Sequence, residues 1–171
     1  MSLSLRASIE VRAPAPRVFE LLATPERLPE WNVSIERARR AVPDQAVCLG
    51  ARAIFSGRLL GQTLESETEV IAFEPPVVFA TKAIRGPRLQ TRFALASLAQ
   101  GTRVDLEVSG EVPGGMIGAR LAEGFLRGEL SASLDRLRTI VEGESRAAAA
   151  LEPLLGGDAA CWLHLHEPAD S

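Results

Sequence analysis

Histidine is nearly missing from this sequence, and the region without it excludes whole classes of enzyme. The 171 residues contain two histidines, His164 and His166, so residues 1–143 contain none. A Ser-His-Asp or Cys-His nucleophilic centre uses an imidazole as its base, so residues 1–143 cannot form one. The motifs GxGxxG and GxxxxGK[ST] are also missing. No phosphate-binding loop is therefore predicted.

Cysteine is as scarce as histidine. Cys48 and Cys161 are the only two, which is neither a disulfide framework nor a zinc-site spacing and fits a reduced compartment. In a strand, His164 and His166 would share a face that a metal could use, and Cys161 would lie on the opposite face. We favour the other interpretation over a metal site: the tail docks its apolar residues or stays mobile. We expect no metal site and no cofactor.

The sequence also lacks an excess of one charge and any long apolar run. Nineteen Lys and Arg face 22 Asp and Glu, for a net charge of −3, so no strong field attracts nucleic acid or anionic lipid. The longest uncharged stretch runs from Phe93 to Thr102, far below the about 18 residues of a membrane span. The first residues mix charged and apolar side chains and form no signal-peptide core. We expect a cytoplasmic protein with no nucleic-acid partner and no integral membrane segment.

The first elements that the sequence predicts are a strand and two short helices. Apolar and polar residues alternate strictly from Leu3 to Arg12, which predicts a half-buried strand. Pro14 and Pro16 favour a helix start, and Thr24-Pro25 divides the apolar pattern that follows into two short helices. Alternating or β-branched runs between turn signals then predict six more strands, at 33–42, 50–59, 62–73, 77–85, 88–99 and 102–112. Their short links favour an antiparallel meander.

The last predicted element is a long helix with one apolar stripe. The stripe consists of Ile117, Leu121, Phe125, Leu130, Leu134, Leu137 and Val141. The helix is predicted to end near Glu142, with Gly143 just beyond its C-cap. Residues 144–171 carry five acidic side chains and one arginine. We therefore expect a domain of residues 1–143 followed by an acidic C-terminal tail, and the order of elements predicts an α+β fold.

The segment IEVRAPAPRVFELLATPERLPEWN, residues 9–32, carries a resemblance to a known family. Together with the meander and the terminal helix, it resembles the START-like (SRPBCC) superfamily of polyketide cyclase/dehydrase and lipid transport proteins over residues 3–142. The resemblance implies a helix-grip fold, in which a curved seven-stranded antiparallel sheet surrounds a long C-terminal helix and two short helices follow strand one. It also implies an apolar ligand cavity, used by carriers in some members and by cyclases in others.

Candidate cavity residues come from the resemblance and from strand phase. Trp31 matches the aromatic that the family places at the cavity mouth. The period-two phase of the strands points six further side chains to the same inner face, namely Phe55, Ser66, Thr68, Phe79, Thr91 and Phe93. The alternatives are core packing for the aromatics and a hydrogen bond across the sheet or to backbone for the hydroxyls.

The terminal helix supplies the other candidates. An interior glycine costs a helix about 1 kcal/mol, and the resemblance implies that Gly118 and Gly124 leave ligand space, flanked by Met116 and Phe125. Close packing of the helix on the sheet is the alternative. Arg120 is a candidate for an acidic ligand group, and an ordinary surface arginine is the alternative for it.

Strand phase also bears on the reaction. Glu65, Glu67 and Glu69 alternate with Ser66 and Thr68, so their carboxylates are predicted to face away from the cavity. Without an inward carboxylate on the strands, no catalytic residue is assigned. The favoured function is a carrier or sensor of a hydrophobic or aromatic small molecule. The alternative is a cyclase/dehydratase-like enzyme acting on a polyketide-like ligand in the same cavity.

Overall fold

Seven strands and three helices make up the computed structural model, which describes residues 2–59, 61–111 and 116–162, with side chains of the last range described for 118–152. The strands are β1 Ser2–Val11, β2 Ile35–Arg40, β3 Arg52–Leu59, β4 Gln62–Glu74, β5 Val78–Arg85, β6 Leu89–Leu98 and β7 Gly101–Glu111. The helices are α1 Ala15–Ala23, α2 Leu28–Trp31 and α3 Met116–Trp162, with a 3-10 turn at Pro25–Arg27.

The strands form one curved antiparallel sheet in the order β1-β7-β6-β5-β4-β3-β2. Strands β2 to β7 follow one another as a meander, and β1 returns beside β7, where Ser2 pairs with Glu111 and Val11 with Thr102. The predicted α+β helix-grip architecture is confirmed, because both short helices follow strand one and the long helix follows the last strand.

The core lies between the helices and the inner face of the sheet. Val18 and Leu21 of α1 are fully buried against Val104 of β7 and against Leu137 and Val141 of α3. Alternation on β1 and β7 turns every second side chain inward, so the sheet supplies one continuous apolar surface to the helices. No helix in the described ranges is long and apolar enough to cross a membrane.

The predicted helix end at Gly143 is wrong, because α3 continues through this glycine. One interior glycine costs about 1 kcal/mol, and the Ala147–Ala150 run that follows is the strongest helix-forming sequence available. Arg27 also anchors the helix beyond the glycine by pairing with Glu144 as well as with Glu30. Hydrogen bonds to Glu30 and Glu144 raise the pKa of Arg27, and the bond from Arg27 lowers the pKa of Glu30.

The division of the chain into a domain of residues 1–143 and a tail of 144–171 stays a prediction. At the proposed boundary, the backbone N–H of Arg12 donates to Glu142 Oε1 over 2.9 Å and fixes α3 to the end of β1. The Cys161 side chain and residues His164 and His166 lie outside the part of the chain just described.

Candidate ligand-binding cavity

A cavity of about 240 Å³ lies between the inner face of the sheet and helices α2 and α3. Six of the seven strands contribute to its wall, because the meander from β2 to β7 presents alternate side chains to one face. The lining is mainly apolar and comprises Leu22, Ala23, Pro25, Leu28, Trp31, Asn32, Ser34, Ile35, Ala38, Ala53, Phe55, Gly57, Arg58, Leu59, Leu64, Ser66, Thr68, Phe79, Thr81, Ala83, Pro87, Leu89, Thr91, Phe93, Leu106, Val108, Leu126, Glu129, Leu130 and Ser133.

Strand register brings the sequence-predicted strand residues together in this wall. Phe55 of β3 pairs with Ser66 of β4, and Phe79 of β5 pairs with Phe93 of β6. The structure places all six predicted strand side chains, and Trp31 with them, in the lining of one cavity. That any of them contacts a ligand stays a proposal.

Trp31 forms part of the wall and part of the core. Its side chain is 3% exposed, and its ring meets Phe93 edge to face with the ring centroids 6.0 Å apart. Its Nε1 is enclosed and has no hydrogen-bond partner within the described residues. The indole of Trp31 is therefore packed and buried in the cavity wall, whereas the resemblance implied a position at the cavity mouth.

Phe79 links the cavity to a second aromatic group. Its ring lies edge to face with Phe19 and with Phe73, at centroid distances of 6.0 and 6.4 Å. Phe79 is buried. One side of the ring thus packs in the core while the residue also contributes to the lining.

The hydroxyl of Ser66 is already engaged. Its Oγ donates to the backbone oxygen of Arg85 on β5 over 3.0 Å, next to the irregular register between β4 and β5. Ser66 therefore stabilises the sheet, as the hydrogen-bonding alternative predicted. Thr68 and Thr91 lie in the same wall and, with Thr81, give it small polar points between apolar side chains.

Glu129 of α3 is a cavity residue that the sequence analysis missed. It lies in the lining beside Leu126 and Leu130, and it accepts a hydrogen bond from Ser34 Oγ. The signal was present in the sequence, because residues 126, 129, 130 and 133 share one helix face at spacings of three and four. Strand phase does not reveal this carboxylate, because Glu129 lies on a helix.

The predicted helix residues lie elsewhere. Gly118, Arg120, Gly124 and Phe125 are exposed and do not line the cavity, while the Met116 side chain lies outside the described part. A Cβ added to Gly118 or Gly124 would meet no atom of the described residues within 4 Å, so these glycines neither bound the cavity nor permit close packing against that part of the chain. The ligand space predicted beside them is therefore wrong.

The cause is the phase of the apolar stripe. The predicted stripe includes both Phe125 and Leu130, which are five residues apart. Five residues turn a helix to about 140° from the starting face, so these two side chains do not share one face. The structure leaves Leu121 72% and Phe125 42% exposed, and it turns Ala122 and Leu126 inward instead. The predicted stripe follows the large residues leucine and phenylalanine, whereas the inward face also carries alanine, glutamate and serine.

Sequence comparison identifies one family over most of the chain. The family described as polyketide cyclase / dehydrase and lipid transport matches residues 2–142. Comparison with curated protein sequences finds no match.

Solved structures match the fold at low identity. A protein from Thermus thermophilus is 19% identical, with a TM-score of 0.71 over 84% of this chain and 99% of that chain. A START superfamily protein from Mycobacterium smegmatis is 18% identical, with a TM-score of 0.62 over 85% of this chain and 98% of that one. Ginseng major latex-like protein 151 from Panax ginseng is 12% identical, with a TM-score of 0.64 over 82% of this chain and 97% of that one. At these identities the likeness concerns the fold alone.

Proposed function

The chain belongs to the polyketide cyclase/dehydrase and lipid transport family, and on that premise we propose that it holds a hydrophobic or aromatic small molecule in the cavity, as a carrier or sensor. The observation that supports this proposal is the cavity itself, a mainly apolar space of about 240 Å³ that the sheet and the helices leave unfilled. Protein interiors are normally filled to the density of organic crystals, so open apolar space of this size needs a reason.

The size and lining of the cavity indicate the size of the ligand. Ligand pockets usually have volumes of about 300–1,000 Å³, so this cavity of about 240 Å³, just below that range, suits a molecule of one or two fused rings or a short chain. Burial of apolar ligand surface contributes about 25 cal/mol per Å². That gain must exceed the loss of translational and rotational freedom on association. A small, rigid, apolar molecule meets both conditions best.

A cyclase/dehydratase-like enzyme is the second candidate function, and one observation favours it. Glu129 brings a carboxylate to the cavity wall, where a general base could reach a ligand proton. A molecule that co-purifies with the chain separates the two candidates. If it is recovered unchanged after incubation with the protein, the carrier is supported. If the protein converts it, and Glu129→Gln does not, the enzyme is supported.

The proposal is tested by filling the cavity. Ala53 of β3 lies in the lining, so Ala53→Leu adds apolar volume where the ligand would lie. We expect calorimetry with 2-naphthol to show at least tenfold weaker binding than to the wild type, equivalent to about 1.4 kcal/mol, with the unfolding midpoint retained.

The matched control is Ser56→Leu, on the same strand but outside the lining. It adds a leucine to the opposite face of the sheet, because successive side chains alternate. Its 2-naphthol affinity should equal that of the wild type. Equal affinity in the wild type and Ala53→Leu would show that the probe binds elsewhere.

A further inference from the structure

The charge on the cavity wall is unevenly distributed. Two charged residues belong to the lining, Arg58 and Glu129. The Arg58 side chain is 72% exposed and its Nε lies 3.4 Å from Glu36 Oε1, so its charge is directed to solvent and to another carboxylate. Glu129 forms no ion pair with a lysine or arginine among the described side chains. Among the described residues, the wall facing the ligand space therefore carries an anion without a matching cation.

Glu129 is held by a serine that is itself fixed at both backbone atoms. The Ser34 N–H donates to Asn32 Oδ1 over 3.0 Å, and the Ser34 carbonyl accepts from the Arg58 N–H over 2.9 Å. Gly57 permits this approach, because a Cβ there would lie 1.9 Å from the Ser34 oxygen. The hydroxyl of Ser34, fixed in this way, then donates to the Glu129 carboxylate. The pair is thus positioned before any ligand arrives.

We infer that the Ser34–Glu129 pair selects apolar ligands that present a hydrogen-bond donor, a hydroxyl in the simplest case, and disfavours ligands that end in a carboxylate. This inference rests on the proposed function. An ionised carboxylate only accepts hydrogen bonds and has about four acceptor positions, of which the Ser34 hydroxyl occupies one. A ligand hydroxyl can occupy another. A ligand carboxylate would instead place a second negative charge beside the first in a mainly apolar cavity.

The test compares two probes with the same ring system, neutral 2-naphthol and anionic 2-naphthoate, titrated into the full chain at pH 7 by calorimetry. We expect the wild type to bind 2-naphthol at least tenfold more tightly. Glu129→Gln keeps the size of the side chain and an acceptor for Ser34 but removes the charge. It should reduce the ratio of the two affinities at least tenfold, mainly through tighter binding of 2-naphthoate.

Glu123→Gln is the matched control. Glu123 lies on the same helix, pairs with Arg127 over 2.7 Å and is not in the lining. Its substitution should leave the affinity ratio at the wild-type value. Unfolding midpoints of both variants show whether the fold is retained.

The outcomes separate this inference from the proposal on which it rests. An unchanged ratio in Glu129→Gln, with binding still blocked by Ala53→Leu, overturns the selection by Glu129 and leaves the cavity function standing. Equal affinity of the wild type for both probes has the same meaning. Binding of neither probe to the wild type overturns both.

Discussion

At the scale of single residues, Trp31 shows that the cavity wall is also part of the core. Trp31 is almost fully buried against Phe93, and its indole nitrogen has no partner within the described residues. A buried donor without an acceptor costs about 1–3 kcal/mol. The ring of Trp31 therefore stabilises the fold through its packing, while its unpartnered N–H lowers that stability.

This leads to a prediction about stability. Trp31→Ala should lower the free energy of unfolding by about 3–5 kcal/mol, because it leaves a large void in the core. Trp31→Phe should cost less than half as much, because the edge-to-face contact with Phe93 persists and the unpartnered N–H is removed. Urea unfolding of the full chain, followed by circular dichroism, measures both. Equal losses in the two variants would mean that the indole N–H is engaged after all.

The cost of Trp31→Ala also changes how its role in binding can be examined. A change that removes ligand affinity and several kcal/mol of stability together cannot separate a contact from a scaffold. Ala53 and Glu129 suit that purpose better, because substitutions there change the space or the charge of the cavity while leaving the core aromatics in place.

At the scale of elements, the position of β2 relative to β3 sets the geometry of the site. The register between them shifts between Ile35 and Arg37, and the chain just before β2 passes directly over Gly57. That close approach requires a residue without a side chain. It brings the Ser34 backbone onto β3 and the Ser34 hydroxyl to α3.

Substituting this glycine should therefore affect both stability and binding. A Cβ at Gly57 would overlap the Ser34 carbonyl, so Gly57→Ala should lower the free energy of unfolding by about 1–3 kcal/mol or more and weaken 2-naphthol binding. Gly124→Ala is the control, since its Cβ would meet no atom of the described residues within 4 Å and helix propensity favours alanine by up to about 1 kcal/mol. Urea titrations of the two variants measure the difference. Coincident midpoints would contradict the close approach.

The elements also differ in how far sequence determines side-chain direction. A strand has two faces, so alternation alone placed Ser66, Thr68 and Thr91 correctly in the wall. A helix turns by about 100° per residue, and an error of one position moves a side chain out of the cavity. For this reason Phe125 was predicted inside and is exposed, while Glu129 was overlooked and is inside.

At the scale of the whole molecule, the chain closes one sheet over one helix and leaves space between them. The number of strands, their order and the meander were predictable because each link is short and each strand is bounded by turn residues. The end of α3 was not, because the cost of Gly143 is offset by the alanines and the Arg27–Glu144 pair on the far side. The volume of the cavity was not predictable either, since it depends on how closely α2 and α3 approach the sheet.

We propose that this space holds one small apolar molecule. Native mass spectrometry of the full chain tests it most directly, on the wild type and on Ala53→Leu, both as purified and after incubation with 2-naphthol. We predict one bound small molecule per wild-type chain and a bare mass for Ala53→Leu, because the added leucine occupies the ligand space. A bare mass for both proteins, or the same adduct on both, would contradict the account.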